Sequence, residues 1–141
     1  MAVELFRVDN EGLASMVCAV AVGTIGPARR RSDLRFNFGN VGDIHRFVRS
    51  RVDYIADRSA DDQRIRAPWV TLREGRGDCK STAVLIYALA DIAGFPAWLR
   101  FYDQRGHGWD HVVAVVDGIP VDPLLELGDE VAAVSIRDVY I

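Results

Sequence analysis

The chain has 141 residues and a mass of 15.7 kDa, the size of one domain. Half of it is hydrophobic and 26% is charged, which supplies a core and excludes wholesale disorder. A net charge of −3 and a pI near 5.5 exclude the basic footprint of a nucleic-acid binder.

The first element expected is a buried helix or strand within the apolar run Leu13–Gly26 (LASMVCAVAVGTIG). The run is short for a bilayer, which takes roughly 20 apolar residues. It follows the acidic Glu4, Asp9 and Glu11 instead of the basic stretch a signal peptide carries. Neither a signal peptide nor a membrane span is therefore expected, and the reading is a cytoplasmic or, if phage-encoded, virion-associated protein. Cys18 sits inside this run, where apolar surroundings make a thiol inert packing.

Residues 23–42 contain Gly26-Pro27, the cluster Arg29-Arg30-Arg31 and Gly39-Asn40, and read as a turn-rich connection. The arginines read as solvated surface, with docking of an acidic partner as the weaker alternative. A helix opens near Asp43, with Ile44, Phe47, Val48, Val52 and Ile55 on one face; His45 falls off that stripe and reads as a surface residue. From Asp57 to Gly77 the pattern is a long polar loop, including Asp61-Asp62, with Trp69, Val70 and Leu72 tucked onto the core.

Cys79–Ala93 (CKSTAVLIYALADIA) reads as a helix apolar nearly all round, hence central and buried. Asp78 is its expected N-cap, and Gly94 followed by Pro96 its stop. Strands follow at Ala97–Tyr102 and His111–Val116, and Asp117-Gly118 makes a hairpin to Ile119–Asp122. Val131–Ile141 adds a short strand or helix. Helices ahead of strands give an α+β fold.

Cys79 begins the buried helix, where unpaired backbone N–H groups and the positive dipole end favour a thiolate and can hold an oxyanion. The competing reading is a small core residue that happens to start a helix. His111 opens an apolar strand, where an ionisable side chain has a fixed direction. With a two-residue turn, Val113 opposes Asp122, so His111 and Asp122 share a face as diagonal neighbours. A three-residue loop would put them on opposite faces. Metal binding by Cys79, His107, Asp110 and His111 is the rival chemistry; Gly106 and Gly108 speak against a helix that would align the histidines, and no metal is expected. No cofactor is expected either.

The stretch Arg76-Gly77-Asp78-Cys79-Lys80-Ser81, the apolar helix closed by Gly94-Phe95-Pro96-Ala97, the strand-opening His111-Val112-Val113 and Val121-Asp122-Pro123 together resemble the transglutaminase-like superfamily. Phe47–Asp57, followed by Pro68 and Leu72, resembles the family's helix leading to the cysteine loop. The resemblance spans about residues 43–125 and implies a papain-like α+β core, its buried cysteine helix packed on an antiparallel sheet that bears histidine and aspartate. It divides the chain, read as one domain over 1–141, into an N-terminal helical or loop extension (1–42), the core motif region (43–125) and a C-terminal segment (126–141). It implies Cys79 as nucleophile, His111 as general base and acid, and Asp122 as orienter, with Trp69 or Gln104 as side-chain oxyanion or substrate contacts. Many members carry an acidic residue just after the cysteine, where this chain has Lys80-Ser81.

The expected activity is acyl transfer from a peptide or glutamine-side-chain amide of a peptide or protein substrate. With Lys80 the sole lysine, hydrolysis is favoured over crosslinking. The alternative is a non-catalytic structural or adaptor module with a phage structural protein as partner. No nucleic acid or membrane partner is expected.

Overall fold

The structure, a computed structural model, describes residues 10–55 and 65–141; Glu4, Asp9, Asp57 and the Asp61-Asp62 pair lie outside the described residues. Helix α4 (Cys79–Ala93) is the element on which the rest is built. Its start is fixed by Asp78, whose carboxylate accepts the Ser81 N–H at 2.9 Å. Its end is fixed by Gly94 at φ +91°, where the Phe95 N–H returns to the Ala90 carbonyl. Every residue from Lys80 to Ala90 is buried, because α1 (Asn10–Arg29), α2 (Val41–Arg51) and α3 (Pro68–Glu74) pack around the helix along with strands β3 (Ala97–Asp103) and β4 (His111–Val116). Leu85, Ile86 and Leu89 are fully buried, each contributing about 1.5–3 kcal/mol. Truncating one to alanine should cost about 2–5 kcal/mol.

The main sheet is antiparallel, in the order β5-β4-β3-β6, with β5 at Ile119–Val121 and β6 at Ser135–Val139. Asp117 (φ +52°) and Gly118 (φ +79°) form the two-residue turn between β4 and β5, both central residues being left-handed as a primed turn requires. Val116 pairs with Ile119 and Ala114 with Val121. Continued by one residue, this register sets Asp122 opposite Val113 and on the face of His111. A second, two-stranded parallel sheet joins β1 (Asp53–Tyr54) to β2 (Arg76–Gly77), bringing Tyr54 beside the residues that precede α4.

Two expectations need correction. The first is the connection placed at residues 23–42, since α1 runs through Gly26-Pro27 to Arg29. Burial of Val20, Ala21 and Ala28 on either side of the proline outweighs the roughly 3 kcal/mol a helical proline costs. At 20 residues α1 is also longer than the apolar run suggested. Gly12–Arg29 is long and apolar enough to cross a membrane by length and composition alone, though Leu13, Ala14, Val17 and Val20 pack into the core. The second is the long polar loop, which contains α3. Pro68 sits in its first turn and Gly75 closes it at φ +70°, and seven residues are too few for apolar periodicity to show. Of the arginine cluster, Arg29 pairs with Asp91, while Arg31 pairs with Asp33 and lies over the Trp69 ring at 4.8 Å. Solvent screens exposed pairs of this kind, so they add little to stability.

Candidate active site

Cys79 occupies the first position of α4 and is half-buried. Gly77 lets the chain enter this helix closely: a methyl group there would stand 3.2 Å from both Ser81 Cβ and Thr71 Cγ2. The β1–β2 ladder holds the approach, with the Asp53 N–H bonded to the Gly75 carbonyl at 2.8 Å and the Ile55 N–H to the Gly77 carbonyl at 2.9 Å. Asp78 accepts from the helix with one carboxylate oxygen, and Lys80 Nζ lies 2.6 Å from the other. That ion pair is buried on both sides.

His111 and Asp122 meet on the face that the hairpin register dictates. Nε2 of His111 lies 2.8 Å from Oδ2 of Asp122, and both residues are buried. The carboxylate is an acceptor, so Nε2 carries the proton and Nδ1 is the ring nitrogen left for Cys79. Asp122 is held in turn by the Leu124 N–H, which donates to Oδ1 at 3.0 Å. Across β3, Tyr102 pairs with His111 in register and its ring lies 5.7 Å from the imidazole. Burial by itself pulls the His111 pKa down. Hydrogen bonds to Asp122 and to Cys79, with the negative charge on each, outweigh it and leave the pKa raised to about 9.

Cys79, His111 and Asp122 line one small cavity of about 10 Å³, together with Tyr54, Thr82, Ala83 and Pro123. Tyr54 was not singled out by sequence. Desolvation, reinforced by negative charge at Cys79 and Asp78, pushes its phenol pKa up to about 12, so it remains a hydrogen-bond donor at any physiological pH. Trp69 and Gln104 are placed outside this cavity wall. Trp69 lies in the first turn of α3 with Arg31 over its ring, and Gln104 is exposed, its amide donating to Asp110 at 3.1 Å. His107 lies in the same exposed loop, its backbone N–H donating to Asp103. Among the described residues no three His, Cys, Asp or Glu side chains are placed to hold a metal ion.

His45 departs from its expected surface position. Read as a surface residue, it is 5% exposed, with Nε2 at 2.9 Å from the Leu125 carbonyl and 3.3 Å from that of Asp122. The signal was available: Val41, Ile44, His45 and Val48, the buried set of α2, follow the i, i+3, i+4, i+7 pattern when counted from Val41.

The transglutaminase-like superfamily profile matches residues 28–123. Among solved structures, the chain resembles a candidate protease from Parabacteroides distasonis at 14% identity and a TM-score of 0.56, over 79% of this chain and 25% of that one. It also resembles a candidate cysteine protease from Cytophaga hutchinsonii at 19% identity and a TM-score of 0.47, over 94% of this chain and 45% of that one. The chain thus spans a quarter and under half of these two proteins. Comparison with curated proteins gives no match.

Proposed function

The chain belongs to the transglutaminase-like superfamily, and on that footing we propose that it is a peptidase or amidase whose chemistry is carried by Cys79, His111 and Asp122. The observation that carries the reading is the 2.8 Å contact between His111 Nε2 and Asp122 Oδ2, made beside a cysteine at the start of a buried helix in the same cavity.

Cys79 Sγ attacks the carbonyl carbon of an amide, its proton carried by His111 Nδ1. The carbonyl π electrons move to oxygen, and the oxyanion is held by N–H groups of the first turn of α4 and by the Tyr54 phenol. The C–N bond then breaks as the imidazolium delivers its proton to the departing amine, leaving a thioester. Water attacks the thioester with His111 taking its proton; the C–S bond breaks as that proton passes to sulfur, releasing the carboxylic acid and regenerating the thiol. Asp122 keeps Nε2 protonated and Nδ1 aimed at sulfur, so the ring need not reorient between steps. Hydrolysis is preferred to crosslinking because the sole lysine, Lys80, is buried and ion-paired and so is no acyl acceptor for another copy.

Iodoacetamide near neutral pH, read by peptide mass spectrometry, tests this. Cys79 should be modified well ahead of Cys18, whose thiol pKa is raised by burial, and His111→Ala should abolish the preference. Equal labelling of the two cysteines, or no effect of His111→Ala, overturns the reading. Incubation with a peptide mixture then separates the acceptors: cleavage products lost in Cys79→Ala indicate water, and mass gains matching an added primary amine indicate transamidation.

A further inference from the structure

Asp122 follows a three-residue edge strand, so its placement needs support from outside the sheet. Its carboxylate is fully engaged, Oδ2 toward His111 and Oδ1 with the Leu124 N–H. Its backbone carbonyl accepts the Leu125 N–H at 3.0 Å, closing a tight turn. From α2, 77 positions earlier, His45 reaches into this turn and brings Nε2 to the carbonyls of Leu125 and Asp122. Both partners are acceptors, so Nε2 must be the protonated nitrogen. The imidazole is buried and its helix is anchored by Ile44 and Val48 in the core, and by reciprocal capping, with Asn40 accepting the Asp43 N–H and Asp43 the Gly39 N–H.

We propose that His45 is a positioning residue: by donating its Nε2–H to the Leu125 and Asp122 carbonyls it fixes the turn that aims the Asp122 carboxylate at His111. The two histidines thereby act in series from opposite sides of Asp122, one through the backbone and one through the side chain. This rests on the Cys79–His111–Asp122 reading above. Its physical basis is that a carboxylate stabilises an imidazolium only within hydrogen-bonding geometry, so a loosened turn weakens the support Asp122 gives.

Glutamine and asparagine separate the donor from mere polarity. The amide nitrogen of glutamine reaches about as far as imidazole Nε2, whereas that of asparagine reaches only as far as Nδ1. The readout is the His111 imidazole titration by nitrogen-15 NMR in uniformly labelled protein, with fold followed by circular dichroism. His45→Gln should leave the titration near the wild-type midpoint, while His45→Asn should lower it by roughly half a pH unit or more. In the wild-type chain His45 should appear as the Nε2–H tautomer. An Nδ1–H tautomer, equal midpoints in the two variants, or a His45→Gln chain that fails to fold overturns the proposal. So does a His45→Asn chain that fails to fold while His45→Gln shifts the midpoint. Asp122→Asn keeps the two ideas apart. If it leaves the His111 midpoint unmoved, the catalytic pairing itself fails; if it lowers the midpoint and His45→Asn does not, only the role of His45 fails.

Discussion

His111 and Asp122, eleven positions apart, meet at 2.8 Å because the turn between their strands has two residues and not three. An added residue would turn Asp122 to the opposite face of the hairpin and leave His111 buried without its carboxylate. The site is thus set by backbone parity before any side chain is packed.

The pairing gives a pH dependence with a definite sign. Asp122 and Cys79 favour the imidazolium more than burial disfavours it, so His111 stays protonated well above the usual histidine range, to about pH 9. Expulsion of an amine needs that proton. Turnover of any amide substrate should therefore fall on the alkaline side near pH 9, and the ring should titrate there by NMR. Asp122→Asn removes a charge that stabilises the protonated form, so the alkaline limb should move to lower pH. A limb that stays in place would separate Asp122 from the chemistry.

Two glycines make a second prediction, because they look alike in sequence and differ in surroundings. A β-carbon at Gly26 in α1 meets nothing within 4 Å, whereas at Gly77 it crowds Ser81, Thr71 and Thr82. Gly26→Ala should stabilise the chain by about 0.5–1 kcal/mol. Gly77→Ala should destabilise it by about 1–3 kcal/mol and slow alkylation of Cys79, since the displaced backbone leads straight into α4. Chemical denaturation with labelling kinetics measures both.

How much of this was legible in the sequence depends on how local each cause is. The hairpin parity rests on Asp117-Gly118, and the start and stop of α4 on Asp78 and Gly94, so the fold class and the shared face of His111 and Asp122 could be read from short windows. Helix α3 was missed because its signals are only its ends, Pro68 and Gly75. His45 was misplaced because its burial depends on a turn 77 residues away, and Tyr54 was overlooked because nothing near it in the chain marks a two-residue parallel strand. Trp69 and Gln104 have side chains able to donate to an oxyanion, but no local pattern ties either to the cavity.

The buried Asp78–Lys80 pair flanking Cys79 predicts an asymmetry between single and double substitutions. Removing one partner of a buried pair leaves an uncompensated charge, at a cost of about 3–5 kcal/mol. Lys80→Met should show that loss, and Asp78→Asn with Lys80→Met should recover a substantial part of it, because the asparagine side chain still accepts the Ser81 N–H. The same burial makes Lys80 slow toward amine-reactive esters in the folded chain and reactive once denaturant unfolds it. Rapid modification of Lys80 in the native protein would remove the argument for water as acceptor.

At the far edge of the sheet, Arg100 on β3 forms a bidentate pair with Asp138 on β6, at 2.6 and 3.0 Å, and reaches Glu130 at 3.1 Å. The Arg100 hydrogen bonds hold the Asp138 carboxyl below its usual pKa of 3.8, against a smaller opposing effect of burial. A group whose folded pKa is depressed stabilises the fold fully above its unfolded pKa and loses that contribution as pH falls through the folded value. The pair is partly exposed, so solvent screening limits its contribution to about 1 kcal/mol. Asp138→Asn should therefore lower stability by that amount at neutral pH, and the difference from wild type should fade as the pH drops through the lowered pKa of Asp138. Asp138 lies on β6, separated by β3 from the cavity-lining β4, so Cys79 alkylation should be unchanged in the variant. A parallel loss of thiol reactivity would mean that this edge of the sheet also holds Tyr102 against His111, through the hydrogen bond the Tyr102 hydroxyl donates to Glu130 at 2.5 Å.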